Sequence, residues 1–175
     1  EDGYKDSDTI DVTSKDATQN TTTTRRDFEH ITFDPTADAT TTITDTPDDT
    51  NIVLSATPEL TESGGLITYT ATFEATNPAT QDVTVTLSNT QSITISAYEA
   101  GVHDGFTGTV TDTVTATEYE DVYKDSDTID VTITDATQDT TTTTGDFGNI
   151  TFDPTAEATT TITDTPDDTN IVLSA

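Results

Sequence analysis

The segment ITYTATF, residues 67–73, indicates the fold class of this chain because its apolar and polar side chains alternate without exception. Its apolar members are Ile67, Tyr69, Ala71 and Phe73, and each gap between them holds a threonine. Alternation with a period of two predicts a β-strand with one buried face and one face in water. Six other short runs share this pattern, and their apolar residues are Ile52/Leu54, Val83/Val85/Leu87, Ile93/Ile95, Val110/Val114, Ile129/Val131/Ile133 and Ala156/Ala158/Ile162.

The composition favours the same class of structure. Threonine supplies 49 of the 175 residues, and aspartate supplies 25 of the 34 acidic residues. Both residue types disfavour helix, because threonine is β-branched and aspartate prefers caps and turns. Turn-like sequences such as residues 62–65 and 76–79 separate the apolar runs. We therefore predict an all-β protein made of seven-stranded immunoglobulin-like β-sandwich beads in tandem.

The chain also repeats itself at an offset of 119 residues. The sequence TPDDTNIVLSA occurs at residues 46–56 and 165–175, and YKDSDTIDVT occurs at residues 4–13 and 123–132. A unit of this length has the size of a domain and exceeds the repeat length of solenoids, so an array of separate beads is expected.

The predicted linker between beads is the acidic segment DTPDDTN, which occurs at residues 45–51 and 164–170. Its proline favours an extended backbone, which suits a spacer. This division predicts the C-terminal part of one repeat at 1–49, a complete repeat at 50–168 and the first strand of the next repeat at 169–175.

The charge balance excludes several kinds of partner. Five basic residues against 34 acidic ones give a formal net charge of −29, so no basic surface is available to contact nucleic acid. The same charge disfavours anionic membranes, and no apolar stretch is long enough to insert into a bilayer. Cysteine is absent, so stability must come from packing or from bound ions.

Catalysis has little support in the sequence, so we expect no enzyme activity and no small-molecule substrate. The two histidines are His30 and His103, and the internal copy of His30 is Asn149. His103 lies in a turn-like sequence and is expected to be a loop residue. No nucleophile elbow, phosphate-binding loop or metallohydrolase motif is present.

The acidic loops are the candidate site, because an up-and-down sandwich brings alternate loops to the same end. The loop after the first strand, the loop before the sixth strand and the outgoing linker should then meet. Calcium would suit such a place, since it accepts six to eight oxygen ligands in a flexible geometry. A solvated acidic surface without a specific ion is the equally open alternative. The acids in these three segments are Glu62, Glu118, Glu120, Asp121, Asp125, Asp127, Asp164, Asp167 and Asp168.

Several motifs together resemble the immunoglobulin-like extender repeats of giant bacterial adhesins exported by type I secretion, including the ice-binding adhesin. They are IVLSATP at 52–58, TESGG at 61–65, ITYTAT at 67–72, VTVTLSN at 83–89, EDVYKD at 120–125 and ITDT at 162–165. The resemblance covers the complete repeat in order. It implies calcium bound within and between beads, with the linker acids Asp164, Asp167 and Asp168 and their copies Asp45, Asp48 and Asp49 as ligands.

The resemblance also implies a function and a location. The chain would be a structural tether of a cell-surface adhesin, extracellular, involved in biofilm attachment and in contact with neighbouring repeats or identical chains. One alternative is a self-assembling extracellular filament or sheath in which strands of different chains complete one another. Another is a halophilic surface protein whose acids confer solubility in brine without binding a specific ion.

Overall fold

A computed structural model describes residues 7–16, 30–34, 36–44, 49–119, 123–139 and 147–173. The protein is all-β, and within the described residues one four-residue helix is the sole helical element. No helix there has the length and apolar character needed to cross a membrane. The chain divides into two compact units, one at Asp6–Thr46 and the other comprising Glu1–Lys5 with Pro47–Ala175.

The smaller unit contains β1 (Ser7–Thr13) and β2 (Asp38–Thr44). The larger unit contains the remaining elements, in chain order. They are β3 (Asp49–Ala56), β4 (Glu59–Thr61), β5 (Gly64–Glu74), β6 (Val83–Leu87), β7 (Ser92–Ile95), β8 (Thr107–Thr115), α1 (Ala116–Tyr119), β9 (Ser126–Val131), β10 (Ile133–Gln138), β11 (Asn149–Phe152) and β12 (Ala158–Thr163).

Three sheets form the larger unit, with strand orders β11-β3-β5-β8, β10-β6-β7 and β4-β12-β9. Most neighbouring strands are antiparallel, whereas β11 pairs with β3 and β12 pairs with β4 in parallel. The inward side chains of all three sheets join one hydrophobic core, to which Tyr69, Val85 and Val131 each contribute from a different sheet. The alternation seen in the sequence is confirmed in β5, where every second residue from Ile67 to Phe73 is buried.

The strand pattern differs from the predicted one in three respects. The run 129–133 forms two strands, because the chain leaves one sheet after Val131 and joins another at Ile133. The short strands β4 and β11 were not among the predicted runs. The parallel pairs mean that the predicted simple up-and-down order is wrong.

The smaller unit repeats one pairing of the larger unit in the same register. Ser7 lies opposite Thr44 in β1 and β2, and their copies Ser126 and Thr163 lie opposite each other in β9 and β12. The same side chains are buried very differently in the two copies. Val12 is 61% exposed whereas its copy Val131 is 2% exposed. Ile10 and Ile43 are also exposed, and the copy of Ile43, which is Ile162, is buried.

Gly108 allows β8 to approach β7 closely. A Cβ atom at this position would collide with the backbone oxygen of Thr94 and lie 2.8 Å from Cγ2 of Ile93. We expect Gly108→Ala to lower the free energy of unfolding by about 1–3 kcal/mol, as overpacking does. Gly65→Ala is the matched control, because its Cβ would meet only the mobile end of the Leu60 side chain, at 3.0 Å. Urea unfolding should show little change in the free energy of unfolding for Gly65→Ala. Equal losses of this free energy in both variants would contradict the steric explanation.

Candidate functional site

Three segments meet at the end of β12, the last strand of the larger unit. Thr163, the last residue of β12, is aligned with Thr61 of β4 on one side and with Ser126 of β9 on the other. The loop after β4, the segment before β9 and the linker from Asp164 onward therefore lie at the same end of this sheet. These are the three segments that the sequence predicts to converge.

Glu62 is the acid that this arrangement buries. Its side chain is 2% exposed, although it follows directly after a strand of only three residues. The backbone N–H of Glu62 donates to the carbonyl oxygen of Thr163 at 3.1 Å. Its carboxylate oxygen Oε2 accepts a hydrogen bond from the backbone N–H of Thr165 at 3.2 Å. Glu62 thus contacts the linker through both its backbone and its side chain.

The linker also borders a small cleft of mixed charge. The cleft is lined by Lys124, Asp164, Pro166 and Asp167. Lys124 is one of only five basic residues in the chain, so its place among carboxylates reduces the local repulsion. Asp164 is half-buried, whereas Asp167 and Asp168 are exposed.

The other predicted ligands lie apart from this cleft or outside the described residues. Asp125, directly before β9, and Asp127, within β9, are both exposed. Asp49 begins β3 and accepts a hydrogen bond from the side-chain amide of Asn149 at 2.8 Å. Four of the predicted ligands lie outside the described residues. These are Asp45, Asp48, Glu120 and Asp121.

Within the described ranges, no group of three or more acidic, histidine or cysteine side chains is close enough to hold a metal ion. The structure therefore brings the three segments together, and the carboxylates of their described residues do not form a ligand set. Among the described residues, neither histidine belongs to a group of possible metal ligands. His103 is in an exposed turn closed by backbone hydrogen bonds with Glu99, and His30 is exposed.

Several other acids stabilise turns, a role that the sequence analysis missed. Asp153 accepts hydrogen bonds from the hydroxyl of Thr155 at 2.7 Å and from its backbone N–H at 2.8 Å. The copy in the smaller unit, Asp34 with Thr36, makes the same two bonds. The recurring sequence DPT at residues 34–36 and 153–155 was the available signal, because aspartate commonly bonds the backbone two residues on. Both hydrogen bonds from Thr155 lower the pKa of Asp153, and the bond from the hydroxyl has the larger effect.

The model of one protein family, described as LapA domain, matches residues 48–165. The chain belongs to the LapA domain family. The LapA domain of this chain begins within the leading linker, contains β3 to β12 and ends at Thr165, the residue bound by Glu62. Strands β1 and β2 lie outside it. No curated protein and no solved structure matches the chain significantly.

The turn at Asp153 gives the LapA domain a pH-dependent contribution to stability. A carboxyl group whose pKa is lower in the folded state stabilises the fold above its unfolded pKa, and this stabilisation disappears as the pH falls through the folded value. We expect Thr155→Val to raise the pKa of Asp153 toward its ordinary range by removing the hydroxyl bond. NMR titration of the Asp153 carboxyl carbon measures this shift. Thr159→Val is the control, because the Thr159 hydroxyl donates to Asp130. An unchanged pKa in Thr155→Val would contradict the assignment.

Proposed function

We propose that this chain is an extender segment of a bacterial cell-surface adhesin, in which LapA domains follow one another and hold an adhesive region away from the cell. It acts through length and stiffness, without catalysis, and its partners are neighbouring repeats. The observation that carries the proposal is the extent of the family match. Residues 48–165 correspond to one repeat with a copy of the acidic linker at each end.

The conserved pairing within the chain supports the tandem part of the proposal. β1 and β2 adopt the register of β9 and β12, so the same sequence forms the same local structure in two successive repeats. Each repeat is then an immunoglobulin-like β-sandwich. One layer is the sheet β11-β3-β5-β8, and the other joins the two remaining sheets through the continuous chain from β9 to β10. The single core that both layers share supports this two-layer proposal.

Calcium is the proposed stiffening agent at the junctions. The linker acids Asp164, Asp167 and Asp168 and their copies Asp45, Asp48 and Asp49 would repel one another in its absence. A bound divalent cation offsets this repulsion, and oxygen-rich acidic linkers suit calcium. The buried carboxylate of Glu62 beside the linker is the structural feature that fits this role best. The described acids alone do not form a complete ligand set, so the proposal rests on the acids of the whole junction.

Thermal unfolding in chelator, in millimolar calcium and in matched magnesium or sodium tests the role of the ion. Extracellular calcium sites have dissociation constants of about 10⁻⁴ to 10⁻³ M, so millimolar calcium gives up to about a tenfold excess and stabilises a protein by up to about 1.4 kcal/mol per site. We expect calcium alone to raise the Tm by at least about 5 °C. The combined variant Asp164→Asn, Asp167→Asn and Asp168→Asn should lose most of this shift, whereas Glu59→Gln on exposed β4 should keep it.

Equal stability in all four solutions would contradict the calcium-stiffened tether. Stabilisation by molar monovalent salt without a preference for calcium would instead favour a halophilic surface protein.

One observation favours a second candidate, a self-assembling extracellular filament or sheath. β1 and β2 expose Ile10, Val12 and Ile43, the side chains that a complete repeat covers. An isolated pair of strands is marginally stable, so strands of an identical chain could cover this face. Sedimentation equilibrium of the whole chain should then show concentration-dependent assembly that Val12→Asp abolishes. Val102→Asp, at an exposed loop of the complete repeat, is the control. A monomer at all concentrations would exclude this candidate.

A further inference from the structure

The contact between Glu62 and the linker is unusual for an acidic residue. Carboxylates are rarely buried unless they are paired or hydrogen-bonded. Glu62 is 2% exposed in a chain whose net charge is already −29. Its carboxylate faces the backbone of Thr165, which lies two residues beyond the end of β12.

This contact holds Thr165 against the LapA domain. Its backbone N–H donates to Oε2 of Glu62 at 3.2 Å, and its hydroxyl oxygen is buried with no partner among the described residues. From Pro166 onward the linker residues are exposed. Among the described residues, the partly buried part of the chain therefore ends at Thr165, and the exposed part of the linker begins at Pro166.

We propose that Glu62 is a positioning residue that fixes the direction in which the linker leaves the LapA domain, independently of any bound ion. The inference rests on the proposed tether, since the linker is there taken to lead to the next repeat. Two successive hydrogen bonds, from Glu62 to Thr163 and from Thr165 to Glu62, attach the loop after β4 to both sides of Asp164. Residues 163–165 are thereby held at two points, so they cannot swing about the end of β12.

The chemistry of the contact explains why an acid occupies this buried position. A backbone N–H that leaves a sheet needs an acceptor, and a charged acceptor forms a stronger bond than a neutral one. Pro166 restricts Thr165 to an extended backbone. The carboxylate and the proline therefore restrain the same residue from two directions, the first through a hydrogen bond and the second through its ring.

Amide hydrogen exchange of the whole chain in chelator tests this role. We expect the Thr165 amide to be protected in the wild type and to lose about tenfold of its protection in Glu62→Met, the equivalent of one net hydrogen bond. Glu62→Gln retains an acceptor oxygen and should restore most of the protection. Glu59→Met, on the exposed side of the neighbouring β4, should leave the Thr165 amide unchanged. The Tyr69 amide in the core reports whether each variant remains folded.

A second readout follows the linker itself. The chain has no cysteine, so spin labels can be attached at Thr84→Cys on β6 and Thr169→Cys beyond the linker proline without removing native thiols. In chelator, the distance distribution between the labels should widen in Glu62→Met and stay close to that of the wild type in Glu62→Gln.

Any one of three results would overturn the proposal. They are an unchanged exchange rate of the Thr165 amide in Glu62→Met, an unchanged distance distribution in Glu62→Met, and a loss of amide protection in Glu62→Gln as large as that in Glu62→Met. Both measurements are made without calcium, so they do not depend on the ion. If calcium fails to stabilise the wild type, the calcium-stiffened tether fails, whereas the result for Glu62 stands on its own.

Discussion

Burial of one face of each strand is the constraint on which the larger unit depends. The chain has no cysteine and carries a net charge of −29, so its core must outweigh substantial self-repulsion. Threonines occupy most of the outward positions, which leaves the inward positions for valine, isoleucine and aromatic residues. The core extends into the loops as well, because the ring of Phe147 packs against that of Phe73 with their centroids 5.0 Å apart.

The two copies of this strand pair within one chain distinguish the effect of local sequence from that of tertiary packing. Residues 7–12 and 126–131 have identical sequences, and they pair in one register with residues 39–44 and 158–163, which are also identical to each other. Only the second copy is covered by the remaining strands, and its Val131 is buried where Val12 is exposed. Local sequence thus determines which strands pair and in what register, whereas burial depends on residues that only the complete repeat contains.

Much of the fold could be predicted from period-two alternation, which is a property of neighbouring residues, and from the repeat, which a comparison of the chain with itself reveals. The convergence of Glu62, the segment before β9 and the outgoing linker was expected from an up-and-down order, whereas the structure produces it by pairing β12 with β4 in parallel and with β9 in antiparallel. The change of sheet between Val131 and Ile133 was not, because the alternation continues through it unchanged. The hydrogen bond between Glu62 and Thr165 joins residues 103 positions apart, and no local pattern marks it.

Residue-resolved hydrogen exchange of β1 and β9 tests whether the core stabilises these strands beyond local pairing, because the two strands share the sequence SDTIDV and, among the described residues, each pairs with one strand. If burial of one face stabilises the fold, amides of β9 should exchange at least about a hundredfold more slowly than their copies in β1, as expected for a difference of a few kcal/mol. Equal protection in the two strands at low protein concentration would contradict the account, since local sequence and pairing would then suffice without the core.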